Sequence, residues 1–236
     1  MKFLSPAISK LARMRLWRIE NWSNHPVAVQ REVLQELVTA AQYTEFGKKY
    51  NFSKLFTLKD FKKNIPIHEY DDIKPYILRM MNGEENILWN TPVKWFAKSS
   101  GTTSDKSKFI PISEESLQDN HFQASKDLLS NYYKNFPSSD LLTGKGLVVG
   151  GSHQISKVNE EIQYGDLSAV LMQNSHFCGQ WIITPELSVA LLDDWDNKIE
   201  KLAQFTAVDT LPHVVWLPTW TFLLLKLVLD IMFKDI

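Results

Sequence analysis

The chain has 236 residues, 44% of them hydrophobic and 22% charged, with 26 basic and 27 acidic side chains and a net charge of −1. Length and composition fit a soluble globular protein of one large domain or two small ones. The absence of a basic excess argues against a nucleic-acid or anionic-membrane surface. A single cysteine, Cys178, excludes an internal disulfide and a cysteine-based zinc site, and suits a reducing, cytoplasmic location.

In chain order, the first ninety residues read mostly as helix. Ser5-Pro6 pairs an N-cap with proline at the first helical position. After Pro26, the spacing of Val29, Val33, Leu34, Leu37, Val38 and Ala41 predicts an amphipathic helix. Thr44 and Thr57 each bring a side-chain oxygen able to cap a short helix that follows. Pro75-Tyr-Ile-Leu-Arg-Met-Met81 predicts a further helical piece that stops near Gly83.

From Thr91 the pattern changes to alternating strand and helix. Val93–Ala97 and Phe109–Ile112 read as strands around a polar loop. Ser113 caps the next helix, with Glu114 and Glu115 in its first turn. Leu117, His121, Ala124, Leu128 and Tyr132 are expected along its inner face. Gly146–Gly150 reads as a short buried strand. Thr184-Pro185-Glu186 predicts a helix start, with Leu187, Leu191, Trp195, Ile199 and Leu202 as its apolar stripe. Apolar strands interleaved with helices imply an α/β fold. The expected division is a mostly helical region over 1–90 and an α/β region over 91–236, in one continuous structure.

Val214 to Phe233 has about the length of a membrane-spanning helix. Pro218 interrupts it, however, and Lys226 and Asp230 lie inside it, where charge is costly. The segment is read as a buried strand, Val214–Leu217, then a helix from about Thr219. Leu223, Leu227 and Ile231, flanked by Leu224 and Val228, form its apolar face. No membrane partner is expected.

The strongest chemical signal is Lys98-Ser99-Ser100-Gly101-Thr102-Thr103-Ser104-Asp105-Lys106-Ser107-Lys108. Hydroxyls donate hydrogen bonds, glycine lets backbone N–H groups approach, and lysine supplies positive charge, a composition suited to phosphate. It is not a Walker A loop, which has two glycines before Lys-Ser/Thr and opens onto a helix. An ordinary polar hairpin loop is the competing reading. The histidines show no zinc-like spacing and no Gly-x-Ser-x-Gly elbow occurs, so no metal site and no serine hydrolase are read. Trp220 follows Pro218 at a strand-to-helix switch, where α/β sheets place ligands. That makes it a candidate wall for an apolar acid, with plain core as the alternative. Gly165-Asp166 reads as a turn or cap.

Trp95-Phe-Ala-Lys-Ser-Ser-Gly-Thr-Thr-Ser-Asp-Lys-Ser-Lys-Phe-Ile-Pro-Ile112 resembles the first nucleotide-binding motif of adenylate-forming enzymes. More narrowly it is similar to the auxin-responsive Gretchen Hagen family of acyl-acid amido synthetases, in its bacterial branch. Thr44-Glu-Phe-Gly-Lys-Lys-Tyr50, Ile65-Pro-Ile-His-Glu-Tyr-Asp-Asp-Ile-Lys-Pro-Tyr76, Gly83-Glu-Glu-Asn-Ile-Leu-Trp89, Gly165-Asp-Leu-Ser-Ala169 and Leu217-Pro-Thr-Trp-Thr221 resemble the same family in the same order. Ser104 departs from the glycine usual in the wider superfamily.

The resemblance implies the partial N-terminal large domain of an adenylate-forming enzyme. It implies adenylation of a small carboxylic acid by ATP with Mg²⁺, then acyl transfer to an amine such as an amino acid. It assigns Ser99, Ser100, Gly101, Thr102, Thr103 and Lys108 to the ATP phosphates, with Lys106 as the alternative loop lysine. Family members are longer: a glycine-rich strand, an adenine- and Mg²⁺-binding motif and a mobile C-terminal domain follow. These 236 residues are therefore expected to be an N-terminal fragment, with the C-terminal half as partner and no adenylation alone. The alternatives are a non-catalytic ATP-binding or interaction module of the same fold, and an acyl-CoA ligase-like enzyme with a thiol acceptor.

Overall fold

A computed structural model gives the structure of residues 5–99, 107–139, 141, 144–148, 155–175, 183–184, 189, 192, 194–208, 211, 213–215 and 218–233. The chain begins with helices α1 (Ser5–Asn24), α2 (Pro26–Ala41), α3 (Glu45–Lys49), α4 (Leu58–Asn64) and α5 (Tyr70–Met81). Their starts follow local chemistry. Thr44 Oγ1 accepts the Gly47 amide at 3.0 Å and donates to the Ala41 carbonyl at 2.7 Å, so this buried hydroxyl closes α2 and opens α3. Thr57 and Asp60 form a reciprocal capping box at the start of α4. In α2 the buried residues are Val38 and Ala41, whereas Val33 and Leu37 are about half exposed. Val29 and Leu34 are half-buried, so the expected stripe is fully covered only at its C-terminal end.

Two sheets follow. In the first, β1 (Trp95–Lys98) pairs antiparallel with β2 (Phe109–Ile112) and parallel with β5 (Gln163–Gly165), and β5 pairs antiparallel with β4 (Ser156–Lys157). The order is β2-β1-β5-β4, which leaves β2 on an edge. The Asn159 side chain accepts the amides of Glu161 and Ile162 at 2.9 and 2.7 Å and shapes the β4–β5 turn. The second sheet is parallel, in the order β6-β3-β7, from β3 (Gly146–Val148), β6 (Ile183–Thr184) and β7 (Val214–Val215).

Phe96 of β1 is fully buried in a core with Ile77, Met80 and Met81 of α5, Ile87, Val93 and Ile162. Removing a side chain of this size from water contributes roughly 1.5–3 kcal/mol. On the other face of β1, Ala97 packs with Ile112, Leu117 and Val170 of α7 (Leu167–Gln173). The second sheet builds its own core: Leu147 of β3 meets Ile199, Leu202 and Ala203 of α8 (Trp195–Val208) and Leu224 and Val228 of α9 (Pro218–Phe233). The helix expected from about Thr219 is therefore present as α9. Its buried line runs through Leu224 and Val228, while Leu223 is 40% exposed. Phe222, Leu225, Leu229, Met232 and Phe233 lie on its exposed side. Among the described residues no helix is long and apolar enough to cross a membrane.

Two expectations are corrected. The helix expected after Thr184 does not run unbroken to Leu202: Thr184 itself lies in β6, residues 185–188 lie outside the described residues, Leu192 and Asp194 are not helical, and α8 starts at Trp195, where Asp194 Oδ1 accepts the amides of Asp196 and Asn197. Leu187 and Leu191 of the expected stripe lie outside the described residues. The helix after Ser113 is the second case. Residues Ser116–Phe122 are π-helical before α6 (Gln123–Asn135) begins. A π segment holds more residues per turn than an α-helix, so it rotates everything after it. Leu117 stays buried, but Leu128 is 71% exposed and Ala124 is exposed. The face that meets α1 is polar instead: Arg15 binds Asp127 through two hydrogen bonds, and Gln123 donates to Asp127 at 3.0 Å.

Candidate functional site

The polar loop leaves the sheet where α/β folds present ligand-binding groups. β1 and β5 are parallel, with Ala97 opposite Gly165, so their carboxyl ends share one edge. The segments after Lys98 and after Gly165 both depart from that edge. Asp166 takes the N-cap position of α7 with extended backbone and no side-chain capping bond.

The neck of the loop is well defined. The Ser99 amide donates to the Lys108 carbonyl at 2.9 Å, and the Lys108 amide donates to Ser99 Oγ at 3.2 Å. Ser99 is half-buried and Lys108 is exposed. The structure therefore brings together the first and last of the expected phosphate-binding residues. Ser100, Gly101, Thr102 and Thr103 lie outside the described residues, as does Lys106.

Two residues brace this hairpin without having been read from the sequence as part of the site. Tyr70, the first residue of α5, reaches the start of β2. The Phe109 amide donates to its phenol oxygen at 2.8 Å, and that phenol donates to the Phe109 carbonyl at 3.2 Å. The Lys108 ammonium lies 5.3 Å from the Tyr70 ring centroid, within cation–π range. Glu115 accepts Trp89 Nε1–H at 3.1 Å and the Thr91 hydroxyl at 3.1 and 3.2 Å. It thereby ties the connector before β1 to the helix after β2. Burial raises the Glu115 pKa, but hydrogen bonds from its own amide, Ser113, Trp89 and Thr91 bring it below the usual carboxylate value. Only the spacing to Tyr70 and Trp89 in space, not in sequence, reveals either brace.

The three motif segments ahead of the hairpin form its support. The amides of Glu45 and Phe46 donate to the carbonyls of Asn86 and Ile87 at 2.8 and 3.1 Å. The Phe46 ring meets Tyr50, Phe52, His68 and Tyr76 at centroid distances of 4.7–6.0 Å. Arg79 pairs with both Glu45 and Glu84 at 2.8 Å. These hydrogen bonds, ring contacts and ion pairs join residues 44–50, 65–76 and 83–89 into one support.

Trp220 occupies the first turn of α9, and its ring lies 4.7 Å from that of Trp195 at 51°. Both belong to the second sheet's layer. Among the described residues no group of three His, Cys, Asp or Glu side chains converges on a metal-binding point.

Residues 15–214 match the model of the GH3 family N-terminal domain. The chain belongs to the GH3 family. Among curated relatives, this GH3 chain is 37% identical over 100 residues to indole-3-acetic acid-amido synthetase GH3.2 of Arabidopsis thaliana, covering 42% of the chain and 18% of the relative. It is 30% identical over 151 residues to jasmonoyl–L-amino acid synthetase JAR4 of Nicotiana attenuata, covering 63% of the chain and 25% of the relative. Its fold matches that of GH3.15 acyl acid amido synthetase in complex with 2,4-DB, with a TM-score of 0.76 and 21% identity, over 93% of this chain and 38% of that one. The match thus spans less than a fifth of the first relative's length. The architecture observed, a helical start followed by a mixed sheet, is that of the GH3 family N-terminal domain.

Proposed function

We propose that this chain carries the phosphate-binding part of an ATP-dependent acyl-acid amido synthetase, as named for its relatives. The observation that supports this most is the hairpin at the carboxyl edge of the β1–β5 pair, its neck closed by Ser99 and Lys108. In the first step a substrate carboxylate oxygen attacks the α-phosphorus of ATP, and the bond to the β-phosphate oxygen breaks to release pyrophosphate. In the second an amine attacks the acyl carbonyl, AMP departs with the bonding electrons, and the nitrogen loses a proton.

Ser99, Ser100, Gly101, Thr102, Thr103 and Lys108 are proposed to hold the β- and γ-phosphates, so their contribution is positioning and charge stabilisation during the first step. Ser99 suits this role: its oxygen already accepts the Lys108 amide, which leaves its hydroxyl proton to donate. ATP brings Mg²⁺, whose carboxylate ligand we place in regions that the longer relatives possess. Trp220 is proposed as one wall of the acid pocket, with Trp195 fixing its ring. A cytoplasmic site of action fits the single cysteine.

The test is carboxylate-dependent ATP–pyrophosphate exchange by the intact protein, with indole-3-acetic acid and 2,4-DB among the acids. Amino acids are then compared with coenzyme A as acceptors. Exchange followed by amide formation supports the proposal. Thioester formation favours the ligase alternative, and ATP binding without exchange favours a non-catalytic module.

A further inference from the structure

We propose that Tyr70 is a positioning residue for the loop lysine: it fixes the backbone at Phe109 and holds the Lys108 ammonium over its ring, at the mouth of the hairpin. This rests on the phosphate-binding reading of the 99–108 loop. The argument starts from strand pairing. Ser99 and Lys108 form the hydrogen-bonded pair at the end of the β1–β2 ladder, so the neighbouring pair, Lys98 and Phe109, is not hydrogen-bonded. The Phe109 N–H and C=O therefore point outward from β2. Since β2 is an edge strand, no further strand takes them. One phenol oxygen satisfies both, at 2.8 and 3.2 Å.

Tyr70 can serve as a fixed post because its own element is anchored. The Glu69 amide donates to Asp72 at 2.9 Å in a capping box directly before it, and its ring packs on the Phe96 core. Phe109 is held from its side chain too, edge-to-face on Tyr164 at 5.2 Å. The residue just before this doubly held position is Lys108. Its ammonium stands 5.3 Å from the Tyr70 ring, and among the described residues no carboxylate pairs with it. A cation parked on a ring face remains available to an arriving phosphate, whereas one locked to a carboxylate is already neutralised.

The experiment measures the acylation rate of Lys108 by an amine-reactive reagent, read by peptide mass spectrometry, as Mg·ATP is titrated onto the purified protein. Wild type is compared with Tyr70→Phe, which keeps the ring and loses the hydroxyl, and Tyr70→Leu, which loses both. ATP is expected to protect Lys108 in wild type. The half-protecting ATP concentration should rise about tenfold in Tyr70→Phe, which loses both hydrogen bonds to Phe109, and further in Tyr70→Leu. If Tyr70→Leu fails to fold, Tyr70→Phe decides alone. Unchanged half-protection in Tyr70→Phe, with protection intact in wild type, overturns the role of Tyr70 while sparing the phosphate loop. No protection of wild-type Lys108 overturns both.

Discussion

Trp89 donates its indole N–H to Glu115 across 3.1 Å, joining the segment that enters β1 to the helix that leaves β2. The same carboxylate takes the Thr91 hydroxyl. Glu115→Ala leaves two partly buried donors without an acceptor, and each unsatisfied donor costs about 1–3 kcal/mol. We expect a loss of stability of that order in urea unfolding at pH 7. Because the folded-state pKa is lowered, the ionised carboxylate's contribution is complete above the unfolded value, about 4.3. It disappears as pH falls through the lower folded value. The gap between wild type and Glu115→Ala should therefore narrow in acid.

Arg15 grips Asp127 through two nitrogen–oxygen contacts, with side-chain exposures of 14% and 25%. The pair fastens α1 to α6. A double-mutant cycle on Arg15→Ala and Asp127→Ala should give a coupling of about 1–2 kcal/mol, between an exposed ion pair and a buried charged hydrogen bond. Arg15 holds the Asp127 pKa down, against opposing burial. This coupling too should fade as pH drops through the folded carboxyl value. A coupling near zero at pH 7 would mean that this pair does not fasten α1 to α6, leaving that to the Glu20–Lys134 pair and to packing.

Gly47 sits where a Cβ would fall 2.0 Å from the Ala41 carbonyl oxygen. That oxygen is already bound by Thr44, so the turn between α2 and α3 has no slack. Gly47→Ala should destabilise the protein by about 1–3 kcal/mol, the range of overpacked sites. Thermal melting of the variant against wild type measures this.

Where a feature depends on neighbours in sequence, it was legible. The Thr44 and Thr57 caps bind amides three residues on, and both formed. The loop's neck formed between two predicted strands. Features set at long range were not legible. Tyr70 meets Phe109 across 39 positions of sequence, and nothing in its motif indicates a hairpin brace. The α6 stripe failed for a different reason. An α-helical period was extended through Ser116–Phe122, and the π turn there moved Leu128 outward and Asp127 toward α1. Periodicity alone has no means of sensing such a shift.

The most direct test of the account is acid-dependent ATP–pyrophosphate exchange in the intact protein carrying Lys108→Ala with Thr102→Ala. Lys108 is exposed and its removal leaves no core cavity, so the melting temperature should stay near wild type. Loss of transition-state contacts of this kind lowers rates by roughly 100–1000-fold, and the exchange rate should fall by at least that much. Supplying synthetic acyl-adenylate should restore amide formation, because the phosphates are then already gone. A variant that melts normally and exchanges at the wild-type rate would contradict the account, and would make residues 98–108 an ordinary polar hairpin.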